Sequence, residues 1–393
     1  MFKLLLVVTF IESLATVLVE RGIYFYAYEH LAFSNAMNLS VALSLGVAYI
    51  VGALASGPAS TRVGEKRLLR WTLVGQCLCH AVPVVAPSVA AVFGVSIGIG
   101  LLNGLKWPLI ESYVAAGRTR QAAARSIGLF NIAWSASVPL ALWVTGPFLA
   151  LRLPGHWFGP GAVLFIVAGA VNLVSLALIG PLSQRPIHAS GADPDRWSAF
   201  QHARLRSMLA SSRWSMLAAF CLLFVVAPLM PAILIDRLGL ETVWAAPFSS
   251  VIDGVRLATF VVLWRTTVWH HRPVWLAVAA CGVPAGFVLI MAGGGLGFVL
   301  LGQVVFGAAM GLAYYSALYY AMLAQNASVD AGGVHEGLVG LGFFLGPLFA
   351  LMGSRLAASL GGLTTGVLVG VGPLVALCLF AAVWPLCRVN PKR

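Results

Sequence analysis

Five polar residues recur at every fourth position in an otherwise apolar stretch near the start of the chain: Glu12, Thr16, Glu20, Tyr24 and Tyr28. A four-residue step keeps them on one face of a helix. Arg21 follows Glu20 directly, within reach to neutralise it. A second apolar stretch carries Asn103, Trp107 and Glu111 at the same spacing, with Lys106 alongside. A third carries Ser249, Ser250, Asp253 and Arg256, the last two at i,i+3. A fourth is rich in phenols: Tyr314, Tyr315, Tyr319 and Tyr320. Two kinds of chemistry follow. The carboxyls of Glu12, Glu20 and Asp253 can exchange protons as their surroundings change. Arg21, Lys106 and Arg256 can hold an anion, with Tyr24, Asn103, Trp107, Tyr315 and Tyr319 lining the space around it. Ionisable groups inside apolar helices are expensive, so each is a candidate for function. Each cluster also has a structural reading. Glu20–Arg21 and Asp253–Arg256 fit self-neutralised pairs, and a tyrosine stripe fits packing. Glu111, near the inner end of its stretch, and separately the consecutive pair His335-Glu336 are expected near the inner membrane surface.

The elements that carry these residues are set by composition. Of 393 residues, 60% are hydrophobic and 9% charged, against about 25% charged in soluble domains. Mean hydropathy is +0.93. Apolar runs fall at roughly 4–28, 36–57, 68–87, 89–114, 126–151, 157–182, 213–236, 243–265, 273–294, 296–324, 333–357 and 361–387. Each is long enough for a membrane helix of about 20 residues. The predicted fold is therefore an all-α integral membrane protein with twelve transmembrane helices. The opening MFKLLLVVTF mimics a signal peptide, but Glu12 interrupts it and no small-residue cleavage site follows; a retained first helix is expected.

The charge distribution predicts orientation. With the N-terminus inside, 18 of the 24 Lys and Arg fall in alternate segments on the inner side and three (Arg152, Arg237 and Arg355) on the outer. This bias places both termini in the cytoplasm. The polar stretch 183–212 divides the chain into a six-helix bundle at 1–182, a cytoplasmic linker, and a second bundle at 213–393. A short amphipathic helix is expected at 196–209. The Gly100–Gly104–Leu105–Lys106–Trp107 stretch has a counterpart in Gly307–Gly311–Leu312–Ala313–Tyr314, as a duplication would leave behind.

Several chemistries find no support. Cys77 and Cys79 lie ~200° apart on a helix and cannot share one ion, and His270–His271 has no acidic neighbour, so no metal is expected. There is no phosphate-binding loop and no hydrolase signature. No enzyme activity, cofactor or nucleic-acid partner is predicted. The six cysteines sit in apolar runs, as buried small hydrophobes would.

The segment Gly57-Pro58-Ala59-Ser60-Thr61-Arg62-Val63-Gly64-Glu65-Lys66-Arg67 resembles the G-x-x-x-D-R-x-G-[RK]-[RK] loop between helices 2 and 3 of the major facilitator superfamily. Gly57, Arg62 and Gly64 match its positions, Thr61 stands in place of the acid, and Arg67 just after it helps hold the loop at the anionic inner surface. Gly146-Pro147 and Gly346-Pro347 are similar to pairs in helices 5 and 11 of that superfamily. The likeness implies two pseudo-symmetric six-helix bundles rocking around a central site. Glu20, Arg21 and Tyr24 also resemble part of the E-x-x-E-R-F-x-Y-Y motif of proton-coupled oligopeptide transporters, where the acids and arginine couple protons and the tyrosine faces substrate. The first glutamate of that motif is Val17 here. Lys106-Trp107-Pro108 is similar to the same family's helix-4 lysine, but its acids in helices 7 and 10 have no counterpart, so a peptide substrate is not expected. The resemblance implies a monomeric secondary transporter in the inner or plasma membrane. Protons, lipids and a small anionic or zwitterionic solute would be its partners. The alternative is a receptor or lipid scramblase on the same scaffold.

Overall fold

The computed structural model describes residues 2–116, 120–154, 158–186, 199–324 and 329–387, and among them it is all-helical. The helices are α1 Phe2–Glu20, α2 Gly22–Leu31, α3 Asn35–Val63, α4 Glu65–Val85, α5 Val89–Ala115, α6 Arg120–Ala150 and α7 Ala162–Leu178. They continue as α8 Ala199–Pro231, α9 Thr242–Ser249, α10 Val251–Arg265, α11 Pro273–Ala292, α12 Leu296–Ala324, α13 Val329–Ser354 and α14 Leu363–Cys387. α1 with α2, and α9 with α10, each make one crossing. Eleven crossings are long and apolar enough to span a membrane, and the shorter apolar α7 makes a twelfth.

Local chemistry sets the boundaries. Ser34 and Ser88 cap α3 and α5 by accepting hydrogen bonds from Met37 N (3.3 Å) and Ala91 N (3.1 Å). α7 begins later than the apolar run, because Gly161 takes φ +71° just before it. The short amphipathic helix expected at 196–209 is not a separate element. Its residues from 199 onward are the first turns of α8, since no breaker separates them from the span; 196–198 lie outside the described residues. Leu205, Met208 and Leu209 are buried there. α8 ends in a π-helical turn at Ala232–Arg237, after Pro228 and Pro231.

Polarity is inverted relative to a soluble protein. Leu78 (66%), Val85 (76%) and Phe380 (61%) are exposed on the outside, whereas Glu12, Asn103, Lys106 and Asp253 are fully buried. Such a surface requires lipid around it.

Six crossings from α1–α7 face six from α8–α14, meeting where α3 packs on α13 and where α6 packs on α9 and α10. Small residues permit close contact. A Cβ on Gly100 would lie 2.5 Å from the Leu45 carbonyl oxygen, and one on Gly104 would run into that of Tyr49. The equivalent glycines of the second half repeat this: Gly307 lies against Ile252 and Gly311 against Thr259. The two glycine pairs thus do the same packing job in each half, as duplicated halves would.

Candidate functional site

The site grows from the polar stripe of α1. Glu12 is fully buried and pairs with Lys106 of α5, Oε2 to Nζ 2.9 Å. Lys106 also donates to Thr16 Oγ1 (3.0 Å) and to Gln76 Oε1 of α4 (3.2 Å). All three ammonium protons therefore have acceptors. Asn172 of α7 donates to both oxygens of Glu12 at 3.1 Å. Gln76 donates in turn to Asn103 Oδ1 (2.6 Å), and Asn103 Nδ2 donates to Glu20 Oε2 (3.1 Å). One connected network thus runs from the middle of the first half to Glu20.

Glu20 stands at the edge of a central cavity of about 100 Å³ that both halves line. Arg21, Trp107, Trp134 and Tyr49 come from the first half; Arg256, Tyr314, Glu336 and Phe343 come from the second. Asp253 lies behind this wall and takes both arginines, Arg256 Nη2 at 2.8 Å and Arg21 Nη1 at 3.6 Å. Arg21 therefore spans the halves. The Arg256 guanidinium also stacks 4.7 Å from the Trp134 ring, a second cross-half contact.

The halves touch on either side of the cavity. At the end remote from Glu65, the Tyr28 hydroxyl hydrogen-bonds Asp236 in the π-helical turn, and Asn38 donates to Pro228 O (3.2 Å). At the Glu65 end, which is rich in Lys and Arg, the Tyr49 hydroxyl hydrogen-bonds Glu336, and Gly128 abuts Trp264 and Tyr315.

Residues 5–347 match the family model of the Major Facilitator Superfamily. The chain belongs to that superfamily. It is a multi-pass membrane transporter of a small-molecule solute, not an enzyme. Solved structures agree in fold. A nucleoside transporter, NupG, matches at TM-score 0.69 and 15% identity over 98% of each chain. A bacterial homologue of the human lysosomal transporter Spinster matches at TM-score 0.66 and 14% identity, covering 98% of this chain and 93% of that one. The E. coli fucose:proton symporter FucP matches at TM-score 0.62 and 15% identity over 98% of each. No curated protein matches the sequence.

The superfamily loop is a tight joint here. α3 runs on through Gly57 to Val63, and Gly64 turns the chain at φ +86°. Thr61 caps no helix; its hydroxyl donates to Pro58 O within α3 (2.9 Å). The loop is strapped to the segment after α7: Gln184 Nε2 donates to Val63 O (3.1 Å), and Lys66 Nζ to Gly180 O. The acid that Thr61 lacks is next to the turn, where Glu65 accepts from Ser112 Oγ of α5 (2.8 Å). Arg62 and Arg67 are exposed.

The other expected positions divide. Glu20, Arg21, Trp107 and Arg256 line the cavity. Glu12, Asn103, Lys106 and Asp253 stand behind them. Tyr24 is buried with its hydroxyl unpartnered, outside the lining. Tyr315 and Tyr319 do not face the cavity: Tyr315 packs on Trp269, and Tyr319 stacks on His270 at 4.5 Å. Tyr314 takes that place, since one residue turns a helical side chain by about 100°. Glu336, expected near the surface, is instead buried and lines the cavity, because α13 begins at Val329 and carries His335 and Glu336 inward.

Proposed function

We propose that this protein moves a small anionic or zwitterionic solute by alternating access, coupled to protons through Glu20. The observation that carries the reading is the presence of Glu20, Arg21 and Arg256 in the lining of one cavity, with Asp253 joining the two arginines across the halves. A solute carboxylate or phosphate entering the cavity competes with Asp253 for the arginines. Loosening the Arg21–Asp253 pair removes a tie between the halves and frees them to rock. Aromatic walls from Trp107, Trp134 and Tyr314 suit a solute with a flat apolar part. Glu20 lies at the junction of cavity and network, where a change in water access makes a carboxyl bind or release a proton. The E. coli neighbour is a fucose:proton symporter, which agrees with proton use on this scaffold.

Purified protein in liposomes, given an inward proton gradient and a panel of organic anions and amino acids, is expected to accumulate one class and to lose accumulation when a protonophore collapses the gradient. Accumulation that persists without the gradient contradicts the coupling. Orientation is checked separately. With the exposed Cys281 and Cys387 replaced by serine, a cysteine at Arg62 is expected to label only from the cytoplasm and one at Arg152 only from outside. The same orientation would put both termini in the cytoplasm of a protein resident in the inner or plasma membrane.

A further inference from the structure

Where the halves close on the Lys/Arg-rich side, three ligating side chains converge. Glu111 of α5, and His335 and Glu336 of α13, bring donor atoms within 4.8 Å of one another. They are 5%, 1% and 5% exposed. Neither ring nitrogen of His335 has a hydrogen-bond partner, and the carboxyls of Glu111 and Glu336 meet each other. Glu336 accepts from Tyr49. Among the described residues, no lysine or arginine forms an ion pair with either carboxylate, and the charge of Arg213 is felt at His335. A buried polar group without a partner is costly, and two carboxyls this close avoid repulsion only by sharing a proton or a cation. A bound cation removes both penalties together. The buried imidazole, aimed at the carboxyls with both nitrogens unengaged, points to a ligand independently of the acid pair.

We propose that Glu111, His335 and Glu336 bind one divalent transition-metal ion that ties the two halves together beside the cavity. The donor set selects the ion class. Calcium and magnesium take oxygen ligands, whereas an imidazole nitrogen with two carboxylates suits manganese, cobalt or zinc. Bonds of about 2.0–2.2 Å set three ligands of one ion roughly 3.0–3.6 Å apart, so the donor atoms, now within 4.8 Å of one another, would draw in by about 1–2 Å to complete the site. One ligand comes from the first half and two from the second. The ion would therefore hold this side shut. Glu20 takes no part, so the inference stands or falls separately from proton coupling.

The test uses the full chain in detergent, freed of any histidine tag. Calorimetric titration with Co²⁺ is expected to show one saturable site per chain. Glu111→Gln and His335→Gln should each weaken it by roughly tenfold or more, the scale that even an outer-shell loss reaches. His270→Ala, at a histidine cluster elsewhere, should leave it unchanged. Absence of saturable binding by the wild type, or binding indifferent to the first two variants, overturns the proposal. Should those variants not fold, Mn²⁺-loaded wild type decides it: electron spin-echo spectroscopy should detect one imidazole nitrogen at the ion, and no nitrogen coupling overturns the assignment.

Discussion

Replacing Lys106 with alanine is expected to destabilise the solute-free protein by about 3–5 kcal/mol, the usual cost of removing one member of a buried ion pair. Lys106 and Glu12 are both 0% exposed and 2.9 Å apart. The lysine has no face on the cavity, so no solute can replace it as the partner of Glu12. Its removal also takes one donor from Gln76 Oε1, which keeps Asn172 Nδ2 at 3.4 Å, and one from Thr16 Oγ1. The measurement is thermal unfolding in detergent without solute. A second variant separates charge from packing. Lys106→Met with Glu12→Gln removes both charges and keeps the volume, and should recover most of the loss. A Lys106→Ala protein that melts like wild type but binds solute weakly would show that the lysine serves the solute instead.

Glu20→Gln is expected to abolish proton-driven accumulation while preserving solute exchange. Exchange returns the carrier loaded in both directions and needs no net proton movement. The amide keeps an oxygen to accept from Asn103, whose bond to Glu20 is 3.1 Å, so the fold should persist. Wild-type accumulation by this variant would remove Glu20 from the coupling role. Loss of exchange as well would move the residue from coupling to solute binding.

The crossings, their order and the stripe on α1 were legible in the sequence, because apolar length and a four-residue step are local properties. Lys106 reads in the sequence as a cation that can hold an anion, and in the structure it pairs with Glu12 of that stripe. What could not be read is which side of a buried charge faces its neighbours. Arg21 reads as the mate of Glu20 beside it, yet it reaches across to Asp253, a partner fixed by the docking of two halves. Tyr315 and Tyr319 look equivalent to Tyr314 in an aromatic run, and only the rotation of α12 distinguishes them. Glu336 escaped for a different reason. Apolar runs mark where hydrophobicity ends rather than where the helix ends, and a buried acid near that limit reads as surface. The Glu111–His335–Glu336 cluster escaped with it, because its donors share no local spacing.

The buried pair between α1 and α5 also has a consequence for how the chain is made. Glu12 emerges from the ribosome well before Lys106, which lies 94 residues later. At about 5–20 residues per second, that interval is roughly 5–20 s. During it the first helix holds Glu12, Glu20 and Arg21 with no partner from α5, and a single mid-membrane charge costs about 2.5–3.5 kcal/mol on insertion scales. Asn172, the other ligand of Glu12, arrives later still. The first crossing is therefore a poor candidate for release into lipid by itself. The insertion machinery must shelter it until the fourth crossing arrives, so that the first half enters the bilayer as a group rather than helix by helix.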